Sequence, residues 1–251
     1  MKALKILLVS LLVLAALVVA TAVFVVPALV KRGTETASTE TMEVETTVGS
    51  AAVDYSQGGV TIHKYLARNP RGFLQPSFLE IGTIEVKAGV SELRRDPVEV
   101  SEVVISAPQL TIEQATLGSN VSTIMEAVKK KPGNRWKIGK LKILGGKVKF
   151  VLPLTHQETV VDVPDVELEN LTNADGGPAM MGDIIRQSVS AMIEKTVDKG
   201  GIPLDFRNHL AEGAGLEKIG KVKEILNDAV EKVKDVFGGI FGGKKKEAEK
   251  K

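Results

Sequence analysis

The sequence predicts a mainly β fold with helices, an α+β chain in which one N-terminal transmembrane helix precedes an antiparallel sheet. Three observations carry this. An uncharged apolar run fills Ile6 to Val30. Between Met42 and Leu171, successive segments alternate apolar with polar residues and end in short turn sequences, the pattern of strands with one buried face. Met181 to Val197 and Leu216 to Val236 instead space their apolar residues three and four apart, the period of amphipathic helices. The chain then divides into an anchor at 1–32, a juxtamembrane helix or linker at 33–41, a β-rich domain with covering helices at 42–200, a C-terminal amphipathic helix at 201–242 and a Lys-rich tail at 243–251.

The anchor comes first. As a helix, Ile6 to Val30 spans about 37 Å, longer than a hydrocarbon core of roughly 30 Å. Ile6, Leu7, Leu12, Leu14, Leu17, Val25 and Val30 are its membrane-facing candidates. A cleaved signal peptide ending at Ala20-Thr21-Ala22 is the competing reading. Its mature end would begin with Val23-Phe24-Val25-Val26, and its apolar core would exceed the usual length, so the uncleaved anchor is favoured. Lys2 and Lys5 precede the run and Lys31 and Arg32 follow it, so charge does not set the orientation. From Pro27 to Thr41 a helix is favoured over a Thr/Glu-rich linker.

Strands follow. Met42, Val44, Thr46 and Val48 open the first. Ser56-Gln57-Gly58-Gly59 turns the chain into Val60 to Tyr65. Leu79 and Ile81 alternate with Glu80. The phase then slips at Gly82 and Thr83, as at a β-bulge, before Ile84, Val86, Ala88 and Val90. Val98 to Ile105 and Leu110 to Gln114 read as two strands joined by a turn at Ser106-Ala107-Pro108. Asn120 to Val128 reads as a helix capped by Ser119 or Asn120. Trp136 to Ile143 and Val148 to Leu154 read as a hairpin turned at Gly145-Gly146. Val161, Val163, Val166 and Leu168 form a last strand, which Pro164 places at an edge or bulge. The total is about eight or nine strands. Pro178 opens the helix running to Val197. The helix from Leu216 to Val236 mixes lysines with acids on its polar face, so docking on the domain is favoured over lying in a membrane surface.

Composition excludes several functions. Hydrophobic residues make up 43% and aromatics only 4%, so the apolar mass is aliphatic. Net charge is +2, and without Lys2, Lys5, Lys31 and Arg32 around the anchor the rest carries about −2, so no field for nucleic acid remains. The lone Trp136 gives no stacking platform for single strands. The absence of cysteine removes disulfide and thiolate chemistry. His63, His156 and His209 are far apart and have no metal-ligand spacing. Asp162, Asp165 and Glu167 read as a solvated strand rim rather than a calcium site. No nucleophile elbow, phosphate loop or dinucleotide fingerprint occurs. The expectation is therefore a non-enzyme with no cofactor, no metal and no catalytic residue. Lys137, Lys140, Lys142, Lys147 and Lys149 form a row that could meet anionic lipid, but a soluble strand face is favoured; Arg71, Arg94 and Arg95 read as turn residues.

The turn Asn69-Pro70-Arg71-Gly72-Phe73, the strand ending near Gly89-Val90-Ser91-Glu92-Leu93 and the P-x-L-T-I-E strand at Pro108 to Glu113 together resemble short AsmA-like proteins. The resemblance extends from the apolar helix to about Leu171. It implies a bacterial envelope protein, single-pass in the inner membrane, with its main domain in the periplasm. Larger relatives, TamB among them, form apolar β-grooves implicated in moving lipid towards the outer membrane. By that resemblance the sheet is a curved groove, with Ile84, Val86, Leu110, Ile112, Val148, Phe150 and Leu152 as acyl-chain-facing or core residues. Membrane lipid and other envelope proteins are then the expected partners, in lipid transfer or outer-membrane biogenesis. The alternative is an anchored interaction scaffold with a packed β core and no ligand. An open groove favours the first and a filled core the second.

Overall fold

A computed structural model describes residues 2–56, 58–89, 92, 95–115, 118–128, 134–151 and 157–198. The C-terminal helix and tail expected at 201–251 lie outside these residues, as does Leu152.

The chain opens with one continuous helical rod. Helix α1 (Lys2–Ala20) passes through a π-helical turn (Thr21–Val25) into α2 (Val26–Met42). Pro27 does not interrupt it because it sits in the first turn of α2, where a missing N–H costs nothing. Its apolar part is uncovered: an 18-residue window has mean hydropathy 3.0 and none of it is buried among the described residues. By length and composition it can span a membrane, as a signal sequence also could. Beyond Val25 the rod lies along the first strand. The stretch expected as helix or linker is thus helical, and Met42 ends the helix rather than opening a strand.

Strands β1 (Thr46–Asp54), β2 (Gly59–Arg68), β3 (Ser77–Lys87) and β4 (Val98–Ala115) form an antiparallel meander. The short β5 (Gly118–Ser119) and helix α3 (Asn120–Val128) then carry the chain back along the sheet. This return lets β6 (Arg135–Leu144) and β7 (Lys147–Val151) run parallel to β4, a pairing that requires a crossover. Strands β8 (Glu158–Asp162) and β9 (Val166–Leu171) pair antiparallel with β7 and β6. A short β10 (Ala179–Met180) adds to the start of β6, and α4 (Met181–Asp198) follows. The sheet is open, with β1 at one edge and β8–β9 at the other.

Two expected turns are absent. Ser106 to Pro108 lies within the single strand β4, and Gly145-Gly146 joins β6 to β7 in the same direction. The reason is a crease shared by neighbouring strands. Val48 pairs Tyr65 and Ser50 pairs His63, so Gly49 falls opposite Lys64. By the same unbroken registers Lys64 falls opposite Gly82, Gly82 opposite Ala107, Ala107 opposite Gly145, and Gly145 opposite Pro164. Lys64, Ala107 and Gly145 all have left-handed backbones, with φ of 54°, 51° and 61°. The phase slip at Gly82 is therefore no isolated bulge. Each strand gains one outward position at the same level and pairing resumes in register. Six residues along lies a second line, through Ser101, Gly139 and Asn170 (φ 51°). A slip that lengthens the outer side of a strand bends it towards the inner side.

The inner face is apolar. Phe78, Leu110, Ile112, Ile124, Leu141, Ile143, Phe150 and Ile193 are at most 1% exposed. Each stabilises the fold by roughly 2 kcal/mol of burial. Helix α3 packs on β4 and touches α2 and α4, while α4 reaches β7 and β9.

Candidate functional site

Of the candidate lining residues, Leu110, Ile112, Val148 and Phe150 are fully buried in the core. Ile84 and Val86 pack against it half-buried, on the part of the sheet nearest the apolar rod. Two concavities stand out, and neither opens into the inner face. One, of 620 Å³, is the surface of α1 itself, along Ile6, Val9, Val13 and Leu17. The other is a trough of 530 Å³ on the outer face, floored by Gly82, Ala107 and Gly145 and flanked by Lys64, Glu80, Gln109 and Lys147. It exists because the crease residues carry little or no side chain.

The anchor candidates behave as one surface. Ile6, Leu7, Leu12, Leu14, Leu17 and Val25 are 48% to 72% exposed; Val30 is half-buried, where the rod meets the sheet. Hydrogen bonds fasten rod to sheet. Thr46 N donates to Thr39 Oγ1 (3.0 Å), Val48 N to Glu35 Oε1 (2.8 Å) and Lys31 Nζ to Gly49 O (3.3 Å). Tyr55 Oη donates to Ala22 O (2.5 Å), a carbonyl in the π turn. The first three cover the backbone edge of β1. The fourth sets the β1–β2 turn beside the apolar span.

At the far rim the structure joins two pieces that the sequence offered separately. The turn after Asn69 folds over the outer side of β4, where Glu113 is 4% exposed. Its carboxylate accepts from Leu74 N (2.6 Å), Gln75 N (2.8 Å) and Asn69 Nδ2 (3.0 Å). Asn120 Nδ2 donates to Asn69 Oδ1 and to Thr111 O, and Asn120 Oδ1 accepts from Glu113 N. Gln75 continues the network to Lys149 and Glu158. Every oxygen of the buried carboxylate is engaged by a donor from the turn, which makes it a structural clamp. The clamp presents Leu74, 71% exposed, at the rim. The sequence offers Asn120 as a helix cap or a chance glycosylation sequon and gives Glu113 no role of its own. A carboxylate in an otherwise apolar strand end was the available signal.

The lysine row is neutralised. Lys142 Nζ lies 2.8 Å from Glu102, Lys140 2.6 Å from Glu167, and Lys137, Lys147 and Lys149 are 3.6–3.8 Å from Glu99, Asp162 and Glu158. Lys142 and Lys87, both donating to Glu102, hold its carboxyl down to about 2 from an ordinary 4.5. Lys140 lowers Glu167 in the same way. These are strand-to-strand ion pairs rather than a free basic stripe. Arg71 and Arg95 are exposed turn residues, Arg95 pairing Glu99 at 2.8 Å; Arg94 lies outside the described residues. His63 is exposed near Thr83, while His156 and His209 lie outside the described residues. Among the described residues no group of three His, Cys, Asp or Glu side chains could hold a metal.

No protein-family model, curated protein or solved structure matches this chain.

Proposed function

We propose that this chain is a non-enzymatic scaffold of the cell envelope: a packed β domain held by a single-pass anchor and used to position other proteins. The observation that carries this reading is the burial of Leu110, Ile112, Val148 and Phe150 in the core. A side chain already in core contact leaves no room for an acyl chain. The rod-to-sheet hydrogen bonds support it further, because they fix the domain to its anchor. Placement in the inner membrane with the domain in the periplasm, as in AsmA-like proteins, belongs to the proposal and rests on the sequence resemblance.

A second reading has one observation in its favour. Val60, Ile84 and Val86 are only half-buried, at the end of the sheet nearest the anchor. A shallow lipid-shielding groove, confined to that end, would use them. Photo-crosslinking separates the two in native membranes. A photoreactive residue at Leu14 should label lipid, one at Val104 on the outer face should not, and one at Ile84 or Val86 decides. No lipid adduct at Ile84 or Val86 supports the scaffold; adducts there as abundant as at Leu14 overturn it.

A further inference from the structure

We propose that the β8–β9 edge is a strand-addition site for a basic, extended segment of a partner protein. The two edges of the sheet are finished differently. Side chains of α2 occupy the backbone groups of β1 at Thr46, Val48 and Gly49. Among the described residues, β8 pairs only with β7 and β9 only with β6. On the side away from those strands, alternate N–H and C=O groups face outward. The edge is accessible, with Val160 51% exposed and Val161 and Leu168 half-buried. An added strand would complete the cover of those last two. Pro164 removes one donor, but at the crease, between β8 and β9.

Charge selects the occupant. Across the outer face, β4 supplies Glu99 and Glu102, β6–β7 supply five lysines, β8–β9 supply Glu158, Asp162, Glu167 and Glu169, which pair with those lysines on their inner side, and Asp165 lies between the two strands. No lysine or arginine occurs from Gln157 to Leu171. The order acidic, basic, acidic calls for basic next. A strand with lysine or arginine at its outward positions and aliphatic residues at its inward ones continues the ladder. A second copy of this edge would set carboxylate against carboxylate, which disfavours self-pairing.

The test uses the full-length protein in uncharged detergent and a synthetic extended peptide alternating lysine with valine. Hydrogen–deuterium exchange at 158–171 is expected to slow about tenfold or more on peptide addition, less so at high salt. A peptide alternating glutamate with valine is expected to have no effect. The double variant Glu167→Lys, Glu169→Lys should exchange these preferences, with unchanged exchange in β2 and β3 reporting an intact fold. Four results would each overturn the proposal: no protection by the lysine peptide, equal protection by the glutamate peptide, protection already present without peptide, or protection that tracks dimerisation.

Discussion

Glu113 is the one carboxylate that the described part of the fold buries, and it does so to hold a turn. Glu113→Ala would leave Leu74 N, Gln75 N and the Asn69 amide without their acceptor. Removing charged hydrogen bonds of this kind costs about 3 kcal/mol, to be read from denaturant unfolding of the variant in detergent. Glu99→Ala, which removes only exposed pairs, is the contrast and should cost under about 0.5 kcal/mol. Glu102 makes a prediction about pH. Its folded pKa, about 2, lies below the ordinary 4.5. Its contribution to stability is therefore fully present above 4.5 and is lost as pH falls through 2. The Tm difference between the wild type and Glu102→Gln should be largest near neutrality, shrink below pH 4.5 and vanish near pH 2. High salt should reduce it at every pH, because the pairs are exposed.

At the scale of elements, the creases explain both what the sequence disclosed and what it concealed. Alternation located β1 to β4, β6 and β7, but β8 and β9 read as one strand, and β5 and β10 gave no signal. The last helix, legible from its apolar stripe, starts at Met181 after β10 rather than at Pro178; the helix at Asn120–Val128 was legible in the same way. Ser106-Ala107-Pro108 and Gly145-Gly146 carry turn chemistry, yet the chain runs straight on through both. A residue in the left-handed region reverses a hairpin when its neighbours are free. The same residue only bends a strand when partners on both sides slip with it. That difference lies in the neighbouring strands, so no local window contains it. The Glu113 clamp was hidden similarly, since its two halves lie 44 residues apart along the chain. The second crease offers a test. A Cβ on Gly139 would lie 2.9 Å from Ser101 O, a backbone atom held in the parallel pairing of β4 and β6. Gly139→Ala should destabilise the fold by about 1–3 kcal/mol. Ala in place of Gly33, which meets nothing, should be neutral or slightly stabilising in its helix, as circular dichroism melting would report.

For the whole molecule, the asymmetry of the two edges matters most. One edge is closed by the chain's own helix, and among the described residues no strand pairs with the other. Uncovering the closed edge should therefore create a new association rather than only a weaker fold. Glu35→Ala with Thr39→Ala frees Val48 N and Thr46 N. We expect a concentration-dependent dimer in sedimentation velocity, absent from the wild type, with exchange protection gained in β1.

The unbroken rod has a mechanical consequence. From Lys2 to Met42 it is about 60 Å long at 1.5 Å per residue, and roughly 25 Å of it, α2, is fastened to β1. A helix that must match its apolar length to a bilayer does so by tilting. Here the Tyr55 brace holds the π turn, so a tilt of the rod is passed to the sheet rather than absorbed at that turn. A change of about ten degrees about the middle of the apolar run, about 36 Å from Met42, would swing the rim there by about 6 Å, a little more than the spacing of one strand from the next. With the apolar run in a bilayer, a change of bilayer thickness would become a lateral displacement of the sheet, as in a lever with its fulcrum in the lipid.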